Sequence, residues 1–206
     1  MFEELTESQL DFFREIENIG AGNAATALST MLGRKIDINV PRAEICSYAD
    51  MNAIIGSPES IVAGVMVGIS EDIEGFIMLM LSREDANKLS GALLGMADEP
   101  SEDEPFEMDE MKISALKEVS NILIGSYVNA ISDLSGMRID VTVPDLVVDM
   151  AGAVIGMIAA AYGAYSDSVL FLETKFIDEA YSVDGHFFLV PDIDSYQKLM
   201  EKMGVA

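Results

Sequence analysis

The chain repeats itself. Residues 11–33, DFFREIENIGAGNAATALSTMLG, return 103 positions later as residues 114–136, SALKEVSNILIGSYVNAISDLSG. At that offset Glu15 falls on Glu118, Asn18 on Asn121, Gly22 on Gly125, Ser29 on Ser132 and Gly33 on Gly136. The register continues from IDINVP (36–41) into IDVTVP (139–144). Further matches follow at an offset of 110, Glu74-Gly75 with Asp184-Gly185 and Lys88-Leu89 with Lys198-Leu199. A period this long does not build a solenoid and fits two copies of one half-domain. Each copy is too small to bury its strands well alone. The expected fold class is therefore α/β (α+β), a single pseudo-twofold-symmetric domain over residues 1–206. It would have a mostly antiparallel central sheet and two long helices on one face. The repeats span about 5–95 and 108–204, joined by an acidic linker, 95–107, rich in proline and carboxylates.

Within each copy the pattern reads α-β-(α)-β-β-α. Thr6 and Gln9 form a capping-box pattern ahead of the first long helix, and Gly33 reads as its stop. Residues 35–47 read as a strand broken near Pro41, and 48–56 as a short helix or loop. Residues 61–69 and 75–81 are apolar strands in a hairpin, followed by a helix over 83–94. In the second copy Asp109 caps a helix that stops at Gly136. Residues 138–149 are strand-like and 150–162 form a Gly/Ala-rich helix. Strands over 169–177 and 186–190 flank a turn at Asp184-Gly185, and a helix over 192–203 closes the chain.

Set on a helix at 100° per residue, Phe12, Phe13, Ile16, Gly20, Ala27 and Met31 share the side expected to face a core. Asp11, Glu15, Asn18 and Gly22 form a narrow stripe opposite, repeated as Ser114, Glu118, Asn121 and Gly125. An exposed Glu or Asn on one helix is ordinarily solvated surface. Asn, however, is a poor helix former because its side chain competes for the backbone. Its retention in mid-helix twice, each time three residues after a Glu, is the clearest chemical signal in the chain.

These residues resemble a known family. D-x-x-x-E-x-x-N (Asp11, Glu15, Asn18) and S-x-x-x-E-x-x-N (Ser114, Glu118, Asn121) look like the paired signature of the CheC/CheX/FliY chemotaxis phosphatases. The run NIGAGNAATA (18–27) and the segment VPDLVVDM (143–150) are similar to its CheC branch, and the likeness covers nearly the whole chain. That branch commonly has Gly between the Glu and the Asn; this chain has Glu17 and Ser120, both off the stripe, where tuning of binding is expected.

The resemblance implies a phosphatase that hydrolyses the aspartyl phosphate of phosphorylated CheY, a response regulator. Glu15, Asn18, Glu118 and Asn121 would be catalytic, with Asp11 and Ser114 supporting. Glu and Asn alone supply no nucleophile and no metal, and the sequence holds no GxSxG, Walker loop or HExxH. The pair makes sense if the partner brings the phosphoryl group, its Mg²⁺ and a lysine. An Asn amide, donor and acceptor at once, can orient an attacking water. A Glu can pair with the partner's lysine. No cofactor bound by this chain is expected. The resemblance also implies binding of the receptor deamidase CheD. The Gly/Ala-rich helix, headed by Asp149, would be that contact, or else simple packing against the sheet. The competing reading is a weakly catalytic or non-catalytic adaptor that binds CheD or flagellar switch components.

Composition narrows the alternatives. A net charge of −24 disfavours nucleic acid and anionic membranes as partners. The longest uncharged run, 150–166, is short for a membrane span. A lone Cys46 excludes an intrachain disulfide framework and suits a reducing cytoplasm; it reads as a small buried apolar residue. One histidine, His186, and one cysteine make no zinc constellation, and His186 reads as ordinary surface. A cytoplasmic monomer without membrane insertion is expected.

Overall fold

A computed structural model describes residues 7–96, 108–162, 168–177 and 182–202. The expected capping box at Thr6 and the linker beyond Met96 lie outside them. The elements are α1 (Glu7–Leu32), β1 (Asp37–Ser47), α2 (Tyr48–Ile55), β2 (Ile61–Glu71), β3 (Gly75–Ser82), α3 (Arg83–Leu94), α4 (Glu110–Ser135), β4 (Ile139–Val141), β5 (Asp145–Met150), α5 (Ala151–Tyr162), β6 (Ser168–Ile177), β7 (Ser182–Pro191) and α6 (Ile193–Lys202). The fold is α+β with one antiparallel sheet.

Its strands run in the order β1-β6-β7-β3-β2-β4, with β5 also paired to β2. Read from either end, this order alternates between the two copies in the same way. Each copy keeps its own hairpin, β2–β3 or β6–β7, and lends its first strand to the other's hairpin. The hairpins join through β3 and β7, where Met78 faces Phe188. These two residues are related by the 110-residue offset, so the pseudo-twofold axis passes beside them.

The strand GFIMLMLS is apolar throughout because helices cover both faces of the sheet. Ile77, Leu79 and Leu81 pack with α1, α3 and α4; Phe76, Met78 and Met80 pack with Met51 of α2 and Val154, Ile155 and Ile158 of α5. The Gly/Ala-rich segment is thus half packing helix, while Ala153, Gly156 and Met157 stay exposed. Met150, expected as the first residue of this helix, instead ends β5.

Where the described residues reach them, the long helices have the expected limits. Asp109 accepts a hydrogen bond from the Lys112 N–H at 2.8 Å, and Gly136 ends α4 at φ +69°. Gly33 ends α1 at φ +64°. Along α1, Phe13, Ile16 and Gly20 are buried and Phe12 is half-buried, as expected. Ala27 and Met31 are exposed, against expectation; Ala21, Ala24 and Leu28 take their place in the core. The chain turns back past the other flank of the last turns, where the Ser29 hydroxyl accepts from the Ile36 N–H at 2.8 Å. Leu28 lies in the same core cluster as Ile36 and Ile38 of that return, and Met31 is left exposed to water.

The two Val-Pro steps have different fates. In β1 the strand runs through Pro41 and skips one residue of register between Asn39 and Arg42, a bulge on an edge strand where a missing N–H costs little. In the second copy the strand breaks, leaving Thr142, Val143 and Pro144 between β4 and β5. Asp184-Gly185, expected as a turn, lies inside β7, opposite Lys175 and Thr174. His186 is accordingly not ordinary surface. It is half-buried, its ring centroid 5.9 Å from that of Phe171, and burial pushes its pKa down. Cys46 is buried as expected, its thiol pushed up to about 12, chiefly by burial.

Candidate functional site

Each Glu–Asn pair stands on the outer side of a 26-residue helix whose inner side is core. Below α1 lie Phe13, Ile16 and Ala24, and below α4 lie Leu116, Val119, Leu123 and Tyr127, all at most 3% exposed. Such burial holds a helix against the weak propensity of Asn, so tertiary packing keeps Asn18 and Asn121 in helical backbone. Asp11, Glu15, Asn18 and Gly22 are exposed, as are Ser114, Glu118 and Asn121; Gly125 is half-buried. The pair spacing of i, i+3 puts the side chains about 5–6 Å apart at Cβ.

The stripes are accessible in a second sense. A Cβ at Gly22 or Gly125 would meet nothing within 4 Å. The helix surface beside each Asn is bare backbone, open to close approach by another molecule. Asp11 is held by Arg14, whose guanidinium donates to its carboxylate at 2.9 Å. Among the described residues, Glu15 and Glu118 form no ion pair. They are carboxylates available to an incoming cation. Ser120 is fully buried, with its Oγ inside the core; the Glu17 side chain lies outside the described residues. No group of three His, Cys, Asp or Glu among the described residues is placed to hold a metal ion.

The second stripe has a wall. Ser114, Glu118 and Asn121 line one side of an open cleft of about 590 Å³, and Val141, Thr142, Val143 and Pro144 line the other. Lys117 also lines it, its ammonium 3.1 Å from Asp145, whose carboxyl it holds below the usual range. The sequence reading missed this wall. Its only signal was the Val-Pro step, which the two copies share and therefore did not distinguish.

Asp149 sits elsewhere, exposed near the end of β5 and opposite Val62. Its carboxylate accepts from the Met150 N–H at 2.7 Å. Val148 and Met150, its neighbours in the strand, are exposed apolar residues on the opposite face of β5, and Met157 is an exposed apolar residue of α5. Among the described residues no helix is long and apolar enough to cross a membrane.

Residues 9–45 and 111–148 match the profile of the CheC-like family. These two segments are the long helices with the strands that follow them. The CheY-P phosphatase CheC of Bacillus subtilis (strain 168) is 32% identical over 208 residues, covering 100% of this chain and 99% of that one. The crystal structure of Thermotoga maritima FliY superposes with a TM-score of 0.76 at 25% identity, over 97% of this chain and 98% of that one. The FliM middle domain from H. pylori shares the fold, with a TM-score of 0.70 at 13% identity, over 96% and 99%.

Proposed function

The chain belongs to the CheC-like family, and from that premise we propose that it is a phosphatase of the aspartyl phosphate on a phosphorylated CheY-type response regulator. The observation that carries this reading is the Glu–Asn pair, exposed on each of two pseudo-symmetric helices beside bare glycine backbone. In the proposed mechanism the regulator supplies the phosphoryl group, its Mg²⁺ and a lysine. Glu15 or Glu118 pairs with that lysine and sets the register of docking. Asn18 or Asn121 then reaches the phosphoryl group. Its carbonyl accepts from the attacking water and its N–H₂ donates toward the phosphoryl oxygens, aligning the water for in-line attack. Positioning of this kind suffices, because phosphoryl transfer asks little covalent chemistry of the protein. Asp11 and Ser114, at the head of each stripe, support docking. The acting unit is the whole chain, 1–206, as a cytoplasmic monomer with two sites.

The test is the decay of acid-labile phosphate on CheY phosphorylated with acetyl phosphate. Acceleration by the wild type that is lost in Asn18→Ala/Asn121→Ala, with an unchanged melting curve, is expected. Full acceleration in that double variant would remove the mechanism.

A second reading rests on a different surface. Asp149 is exposed near the end of β5, on the sheet face it shares with Val147, which packs against the cluster that holds α5, and Met157 of α5 is exposed as well. On this reading the chain binds CheD or a flagellar switch component there, and hydrolysis is weak or absent. Asp149→Lys would then weaken CheD binding and leave CheY dephosphorylation alone.

A further inference from the structure

Val143 is 88% exposed, yet the chain around it is tied down on both sides. Before it, Thr142 makes a two-way contact with Gly68 of β2. The Thr142 N–H donates to the Gly68 carbonyl at 3.0 Å, and the Gly68 N–H donates to the Thr142 hydroxyl at 2.9 Å. A Cβ on Gly68 would stand 3.2 Å from Thr142 Cγ2, so the glycine lets the segment seat this closely. After it comes Pro144, with a fixed φ, and then Asp145, ion-paired to Lys117 of α4. An apolar side chain is thus presented to water on a braced backbone, a preorganised contact that loses little freedom on binding.

The surroundings say what it meets. Val143 shares its cleft with Ser114, Glu118 and Asn121, so a molecule that reaches Asn121 through the cleft touches the valine. Glu110 and Glu118 line the same cleft, and its one lysine, Lys117, is already paired with Asp145. The lip is acidic around an apolar centre and fits a basic surface that carries a hydrophobic contact. Among the described residues the first stripe has no exposed valine at the matching place. Its equivalent residue, Val40, is half-buried inside the unbroken strand β1.

We propose that Val143 is an apolar docking contact for the phosphorylated receiver domain, and that it makes the second stripe the tighter-binding site of the two. This rests on the phosphatase reading above. Val143 does not touch the reacting atoms; it is a positioning residue and acts on binding.

The experiment measures dephosphorylation of a CheY-type receiver, charged with acetyl phosphate, by chains that each keep one working stripe. In the Asn18→Ala background, where the second stripe works alone, Val143→Ser raises KM about fivefold with kcat unchanged, and Val143→Ile restores it. In the Asn121→Ala background the same substitution lies beside a stripe that no longer turns over, and KM stays put. Equal shifts in both backgrounds, or none in either, overturn the docking role and leave the stripe mechanism standing. An inactive Asn18→Ala chain overturns it as well, since the second stripe would then do no work. Full activity in Asn18→Ala/Asn121→Ala instead removes the parent reading.

Discussion

Gly20 of α1 lies against the ring of Tyr127 of α4 so closely that a Cβ on it would stand 2.6 Å from Cδ1. The ring has little room to retreat, being 1% exposed and centred 4.7 Å from the ring of Phe187. The 103-residue offset places Gly20 on Leu123 and Ala24 on Tyr127, and all but the glycine are fully or almost fully buried side chains. Small residues on one helix thus face large ones on the other, and the pseudosymmetry of the backbone is kept by an asymmetry of volume.

Gly20→Ala is accordingly expected to destabilise the fold. Alanine favours a helix over glycine by about 1 kcal/mol, but overpacking a filled core costs about 1–3 kcal/mol. The expected result is a lower urea midpoint, with the loss relieved when Tyr127→Leu is added. A stability at or above wild type would show that the two helices part more easily than their packing implies.

Gly22→Ala and Gly125→Ala should behave in the opposite way. Nothing lies within 4 Å of either added Cβ, so each change stabilises its helix by up to about 1 kcal/mol. The same methyl stands where a docked regulator approaches the helix, and CheY dephosphorylation should fall severalfold. Melting and turnover are to be measured on the same samples. A gain in stability with undiminished turnover would mean that no partner comes close there.

Asp85 offers a pH test built on internal symmetry. Its carboxylate accepts from the Ser82 hydroxyl at 2.6 Å and from the Asp184 N–H at 3.4 Å. At the matching place in α6 the Ser195 hydroxyl accepts from the Glu74 N–H at 2.7 Å, and Asp192 caps the helix where Ser82 does in α3. The two copies hold the same pair of residue types in opposite order. Burial, ahead of the other influences, raises the Asp85 pKa. A carboxyl whose folded pKa is raised favours the native state at low pH, and that advantage is lost as pH rises through the raised value. Asp85→Ser keeps an acceptor and discards the charge, as α6 already does. Relative to wild type it should gain stability above that pH and lose the gain in acid. A gain independent of pH would point to packing rather than ionisation.

Much of this could be read in the sequence because duplication turned weak signals into strong ones. One exposed Asn on a helix means little, but Asn18 and Asn121 at one offset point to a candidate site, and both stand outward on α1 and α4. Helix ends were legible where a residue type is demanded by geometry, as at Gly33 and Gly136, both in left-handed backbone. What failed depended on neighbours far away in the chain. Met31 has the azimuth of a core residue, yet the returning chain covers the other flank of its turn. Asp184-Gly185 has the composition of a turn, yet β3 pairs with Gly185 and holds it in a strand. Two identical Val-Pro steps became a bulge and a break because one rides on β6 and the other on β2.

The exchange of first strands between the copies sets a schedule for synthesis. β1 ends at Ser47, and the strand it pairs with begins at Ser168. On its outer side β2 meets nothing until residues 139–150 have been made. A ribosome that has released only the first copy therefore holds β1 without its partner and a β2–β3 hairpin open on both edges, since β3 still lacks β7, the condition in which strands pair with the wrong chain. The first copy is a product that must be kept waiting, and the second copy is what ends its exposure.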